Sequence, residues 1–423
     1  MWTSKERRLG LPIRIINGIG RGLARVGIEP GEFEVEALLA RARAATRLDD
    51  FGSLRFCEPL AVLCEDIRAM GRELSTVARI GLVRDIGRSL TNRLRTQALL
   101  ERHPEIRELP IVEPIFVIGS LRTGTTLLQN LLSRAPGHRS PLMWELLEPA
   151  PHIERPAAVV DPRMVNAQKL QAEIERALPG LALAHPMVWD WPEECLWLFA
   201  NSFLSEMYLT RLPLPRYREM LLRADWSWAV DEYAQALRVL SWQHGETETP
   251  PRWVLKAPGH CFRLAELTAA FPDARFLRTH RDPRKTVAST CSLFEYGRIP
   301  AYRIDLDQIG REVLATWVDV GLERLVDASE QLDDGRCFDV DFAALMADPF
   351  KLIEEMFAHF GFELGSQDRM RQWLDDNPRH ARGQHTYTLA RYGITESEVL
   401  ERTSRYRARF GEFLSPLSPA VQD

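Results

Sequence analysis

Apolar positions recur along this chain at two periods, and the period changes near residue 110. Between Glu32 and Arg47, the residues Phe33, Val35, Ala37, Leu38, Leu39 and Ala42 set one apolar face against a face of alternating charge, as in an amphipathic helix. Asp49-Asp50-Phe51-Gly52 breaks that pattern, and helical patterns over 56–73 and 75–102 follow, the second ending before Pro104. Nothing in this region groups reactive side chains. It is expected to form a helical cap that also shapes a substrate entrance.

From Pro114 onward short apolar runs alternate with helical segments. Ile115 to Ile118, Arg252 to Lys256, the run through Arg275-Phe276-Leu277 to His280, and Cys337 to Phe342 read as strands. Helical patterns lie between and after them, over 162–178, 261–270, the segment after Pro283, 310–332 and Asp348 to Phe360. Strands alternating with helices imply βαβ units and a parallel sheet. The expected fold is α/β, a parallel sheet flanked by helices, with a helical extension over 1–110 packed on a unit spanning 111–423.

The first of these strands runs into Gly119-Ser120-Leu121-Arg122-Thr123-Gly124-Thr125-Thr126, and Leu127, Leu128, Leu131 and Leu132 then recur as in a helix. Strand, glycine-bracketed loop and helix N-terminus make an anion cradle, because loop amides and the helix dipole point at the same spot. The spacing of Gly119 and Gly124 matches a nucleotide-triphosphate P-loop, and Thr126 matches its final hydroxyl. Thr125, however, stands where that loop has its lysine, and the cation is Arg122. Such a loop suits a smaller anionic group better than the β- and γ-phosphates of ATP. A turn that needs its glycines only for geometry is the bland alternative.

Composition narrows the class. A chain of 423 residues with 45% hydrophobic and 27% charged residues is an ordinary globular protein with ample core. Net charge of −5 argues against general nucleic-acid affinity. Cys57, Cys64, Cys195, Cys261, Cys291 and Cys337 are scattered, with no CxxC pair and no His/Cys cluster at metal spacing. They read as reduced thiols of a cytoplasmic protein needing no metal. No apolar run is long enough to span a membrane. Residues 1–30 mix Lys5, Arg7, Arg8, Arg14, Arg21 and Arg25 with Leu9, Leu11, Ile13, Ile15, Ile16, Ile19 and Leu23. Such a stretch either lies on an anionic membrane surface or packs on its own protein with arginines outward, and Gly18, Gly20 and Gly22 weaken any helix there.

With the loop and the strand ends in hand, a family resemblance emerges. Gly119-x-x-Arg122-Thr123-Gly124-Thr125-Thr126 resembles the 5′-phosphosulfate loop of sulfotransferases that use 3′-phosphoadenosine 5′-phosphosulfate (PAPS). Arg281-Asp282-Pro283, with Ser289 eight residues after the arginine, resembles their 3′-phosphate site. The resemblance covers about residues 112–395 and is closest to bacterial members with an arginine-type loop like that of tyrosylprotein sulfotransferases. His185-Pro186, Pro192-Glu193-Glu194-Cys195, Leu255-Lys256-Ala257-Pro258-Gly259-His260 and His385-Thr386-Tyr387 resemble those bacterial members as well.

The resemblance implies a P-loop-like sheet, PAPS as donor, and transfer of a sulfuryl group to a hydroxyl with help from a general base. Gly119, Arg122, Thr123, Gly124, Thr125 and Thr126 would hold the phosphosulfate end, and Arg281 with Ser289 the 3′-phosphate. Phe342 fits the aromatic of the adenine site, with Ala344 at a place often acidic, and Arg382-Gly383 is the nearest match to a basic–glycine pair that closes over the cofactor. Arg122 and Lys256 are the candidates to neutralise charge on the leaving oxygen. For the base the order is Glu145, then His185, then His260. Glu193 and Glu194 follow a proline and read as helix-start carboxylates.

Two rival readings stay open. One is a P-loop kinase or NTPase, with Asp282 as its one available magnesium ligand; the other is a non-catalytic nucleotide-binding homologue. The tryptophans and phenylalanines between 187 and 242 suggest an apolar cleft for a hydroxylated small-molecule or lipid acceptor, and helix packing explains them equally well.

Overall fold

A computed structural model describes residues 9–26, 30–152, 160–178, 185, 187–245, 250–332, 334–378 and 387–415. Five strands form one all-parallel sheet: β1 (Ile115–Gly119), β2 (His138–Arg139), β3 (Arg252–Lys256), β4 (Arg275–His280) and β5 (Cys337–Asp341), in the order β2-β3-β1-β4-β5. The expected strands are all present; β2, two residues long, was too short to show as a pattern.

Side chains of β1 alternate between two cores. Phe116 and Ile118 point into one and Ile115 and Val117 into the other, all four fully enclosed. A strand covered on both faces reads as an unbroken apolar run, which is why this stretch was visible in the sequence. Each such side chain contributes about 1.5–3 kcal/mol by leaving water. One core is closed by the helices Thr125–Leu132 and Pro349–Phe360. The other is shared with the helices Val35–Thr46, Cys57–Ala69, Thr76–Arg102 and Ser227–Gln243. The N-terminal helices thus bury their apolar faces in a core common to the sheet. All six cysteines are free thiols, five of them buried.

Two elements differ from expectation. The helix expected over 310–332 begins earlier, at Leu306, and its middle, Leu314–Leu322, is wound as a π-helix before Glu323–Ser329. Despite its glycines, Leu11–Ala24 is helical, because Gly20 lets Thr76 approach where a Cβ would clash and Asn17 Oδ1 accepts from Val77 N at 3.0 Å. Among the described residues no helix is long and apolar enough to cross a membrane.

Candidate active site

Because the strands are parallel, their carboxyl ends share one edge, and β1 lies between β3 and β4. That edge brings together the loop after Gly119, Lys256 at the end of β3, Arg281 after β4 and Phe342 after β5. Phe342 opens the helix Phe342–Ala347 rather than ending the strand, since Asp341 caps that helix.

The loop's glycines are sterically required. Gly119, at φ 144°, passes so close to β4 that a Cβ would lie 2.5 Å from the Thr279 carbonyl oxygen. Gly124, at φ 87°, begins the Thr125–Leu132 helix, and a Cβ there would meet Leu345 at 2.7 Å and Phe342 at 3.1 Å. Arg122 itself adopts φ 70°, a conformation costing a non-glycine residue about 1 kcal/mol or more. That turn aims its side chain across the edge. Arg122 Nε donates to Ser289 Oγ at 3.1 Å, and the Arg122 carbonyl accepts from Arg281 Nη1 at 3.0 Å. The Arg281 guanidinium stacks over the Phe342 ring at 4.1 Å. Four residues from three distant segments are therefore one connected set: two guanidinium groups, a hydroxyl and an aromatic face beside a helix N-terminus. Two guanidinium groups beside a helix N-terminus suit an anion.

Arg122, Gly124, Thr125, Thr126, Arg281 and Phe342 line a cavity of 420 Å³. His185, Glu193 and Glu194 line it too. His185 Nε2 lies 3.2 Å from Glu193 Oε1, and Lys256 Nζ, 1% exposed, donates to Glu194 Oε1 at 2.8 Å. The 187–195 segment is held beside β3 by the bond from Cys195 N to the Lys256 carbonyl, 2.8 Å. Burial alone would raise the Glu193 carboxyl, but His185, Lys256 and the Glu194 amide outweigh it and hold it well below the usual range. Burial likewise opposes the His185 imidazolium, and Glu193 and Glu194 overcome it and raise its pKa. Two carboxylates thus face the Lys256 ammonium and the His185 imidazole. The same three ligand atoms, within 4.8 Å of one another, could hold a metal ion. Lys256 already pairs with Glu194 and His185 with Glu193, so both carboxylates a cation would need are engaged.

Several residues expected at the site lie elsewhere. Glu145 is wholly enclosed: Oε1 accepts from Arg139 at 2.6 Å and faces His244 Nε2 at 2.7 Å, and Oε2 accepts from Leu142 N at 2.8 Å. It caps the Met143–Leu147 helix and ties that helix to its surroundings, so it is not placed to take a proton from a molecule in the cavity. His260 is also enclosed, against Phe116, Phe199 and Tyr233, with neither ring nitrogen hydrogen-bonded, and burial depresses its pKa strongly. The Thr123 hydroxyl turns inward, to Ser120 O at 2.7 Å and Thr279 Oγ1 at 2.5 Å. Asp282 caps the Pro283–Arg298 helix and pairs with Arg284, so it offers little to magnesium. Arg382, Gly383, His385 and Thr386 lie outside the described residues.

The sequence pattern reads Glu193 and Glu194 as helix-start groups, whereas both line the cavity. The missed signal is Lys256: a lysine ending a buried strand needs an acidic partner, and two adjacent carboxylates in the apolar run around Trp191 and Leu196 were available. The N-terminal helices also reach the site, through Arg84 and Asp85. Asp85 is held by Arg211 and by Arg88, the latter at 3.0 Å. Leu170, Ile174, Met187, Leu196 and Trp197 give the cavity apolar lining as well.

The model of the sulfotransferase family matches residues 114–366. Among curated proteins the chain is similar to the omega-hydroxy-beta-dihydromenaquinone-9 sulfotransferases of Mycobacterium bovis and Mycobacterium tuberculosis. Identity to each is 25% over 327 residues, covering 69% of this chain and 74% of theirs. Among solved structures it resembles a sulfotransferase from Mycobacterium tuberculosis, 31% identical with TM-score 0.75, over 87% of this chain and 98% of that one. It also resembles a sulfotransferase from Mycobacterium avium, 26% identical with TM-score 0.80, over 90% of this chain and 98% of that one.

Proposed function

The chain belongs to the sulfotransferase family, and on that footing we propose that it moves a sulfuryl group from PAPS to the hydroxyl of an apolar, lipid-like acceptor. The observation that carries this is the connected set Arg122–Ser289–Arg281–Phe342 opening onto a cavity that also has apolar lining. Such a donor needs two anion sites and a surface for its base, and these residues fit it. Arg122, Thr125, Thr126 and the helix N-terminus would orient the 5′ end; Arg281 and Ser289 would hold the 3′-phosphate, with Phe342 against the adenine. Bound, the donor supplies an activated sulfuryl group on a bisphosphate leaving group.

The remaining chemistry belongs to the protein. Lys256 and Arg122 are preorganised cations for negative charge that grows during transfer. His185, with Nε2 donating to Glu193, would take the acceptor proton at Nδ1, and Glu193 would stabilise the resulting imidazolium. In this assignment His185 takes the role that the sequence gave first to Glu145.

The acceptor class rests on Leu170, Ile174, Met187 and Trp197 in the cavity lining, and on the relatives named for a hydroxylated dihydromenaquinone. Incubation with 35S-labelled PAPS and a panel of lipid alcohols, phenols and sugars tests it. Label should enter the lipid alcohols and be lost in Arg122→Ala. Transfer confined to sugars would overturn the acceptor class, and consumption of ATP in place of PAPS would overturn the reaction.

A further inference from the structure

The Leu11–Ala24 helix sits on the protein inside out. Its buried side is Asn17 and Gly20, packed on the start of the Thr76–Arg102 helix. At 3.6 residues per turn, Leu11, Ile15, Ile19, Leu23 and Ile16 fall within one arc of about 140° on the opposite side. All of them face solvent, Leu11 at 66%, Ile15 at 53% and Ile19 at 61% exposure, and Val26 just beyond the helix is 71% exposed. A surface helix normally shows the reverse arrangement.

Charge indicates what covers this face. Arg14, Arg21 and Arg25 follow one border of the apolar arc, and no acidic residue occurs between Leu9 and Val26. The groove beside the helix adds Arg72 and Arg303 against Glu73. A second copy meeting this face would bring arginines together with no carboxylate on the helix to pair them. Anionic lipid headgroups above acyl chains match both the charge and the apolar arc.

We propose that the segment Leu11–Val26 docks in the plane of an anionic lipid bilayer, apolar arc among the acyl chains and arginines among the headgroups. The segment is attached to the wall of the reaction cavity: Gly10 N donates to the Ala177 carbonyl at the end of the helix that supplies Leu170 and Ile174. Pro300 lines both that cavity and the groove beside the docking helix. Docking would hold the apolar wall at the membrane, where a lipid alcohol resides; this consequence, unlike the docking itself, rests on the proposed acceptor.

Flotation of the full chain with phosphatidylcholine vesicles, with and without phosphatidylglycerol, reads docking without catalysis. The wild type should float with the anionic vesicles. Ile15→Ser/Ile19→Ser should lose about tenfold or more in partitioning. Arg14→Gln/Arg21→Gln should lose about tenfold on anionic vesicles and little on neutral ones. Thermal melting should be unchanged in both, since these side chains face solvent, and Ile19→Ser alone replaces the double variant if it melts early. The proposal is overturned if the wild type stays unbound, if the isoleucine variant floats equally well, or if sedimentation without lipid shows a dimer that this variant dissolves.

Discussion

Replacing Lys256 separates the structural role of this side chain from its chemical one. Methionine has nearly the same length and volume, so Lys256→Met leaves no cavity and removes only the ammonium group. Glu194 then loses its 2.8 Å partner while the Glu194 side chain is 12% exposed. Stranding one member of a buried pair costs about 3–5 kcal/mol. The opening of Glu194 onto the cavity lets water replace part of the lost partner, so a value near the lower end, about 3 kcal/mol, is expected. Lys256→Met/Glu194→Gln removes the stranded charge as well and should return to within about 1 kcal/mol of wild type. Urea unfolding of the wild type, both single variants and the double variant gives the cycle. Turnover should behave differently. If Lys256 stabilises charge in the transition state, Lys256→Met lowers kcat by about 10²–10³, and the double variant, though stable again, stays slow. Recovery of both stability and turnover in the double variant would refute a catalytic role and leave Lys256 as the counter-charge of Glu194.

Other expectations follow from the same geometry. Arg281→Ala should weaken adenosine 3′,5′-bisphosphate about 10- to 100-fold by calorimetry, the loss of one charge-assisted contact. Because Glu193 raises the His185 pKa, activity should fall as pH drops through that raised value; Glu193→Gln should move the acidic limb of the kcat/KM profile to lower pH, and an unmoved limb would remove His185 as the base. Glu145→Gln should lower the melting temperature, through weakened bonds to Arg139 and His244, yet leave the kcat of the folded enzyme within about twofold. His260 stays neutral when folded, so it adds nothing at high pH and costs stability as pH falls below its unfolded value of about 6.5. His260→Phe should therefore keep activity and flatten the acid loss of stability seen in thermal melts between pH 7 and about 5.

What the sequence revealed and what it hid have physical reasons. β1 and β3 were legible because strands buried on both faces are continuous apolar runs ending at small or charged residues. The loop was legible because Gly119 and Gly124 answer steric demands that only glycine meets. The pairing of Arg122 with Ser289 could be expected only through the family resemblance, since strand order decides which loop ends meet. The sequence could not tell the placement of Glu145 from that of His185, because they differ in nothing local: each lies in an apolar segment near a proline. Their fates depend on Arg139 and His244, which enclose Glu145, and on the bond between Cys195 and Lys256 that carries Glu193 to the cavity. The outward apolar face of the Leu11–Ala24 helix was equally hidden, since amphipathicity does not tell which face the protein takes.

The central claim is that the Arg122–Ser289–Arg281–Phe342 set recognises a nucleotide with phosphates at both ends. Calorimetry of the wild type with adenosine 3′,5′-bisphosphate, adenosine 5′-phosphate and ATP with magnesium tests it most directly. The bisphosphate should bind at least about tenfold more tightly than either competitor, since only its 3′-phosphate engages Arg281 and Ser289. Equal binding of adenosine 5′-phosphate, or tighter binding of ATP with magnesium, would contradict the account.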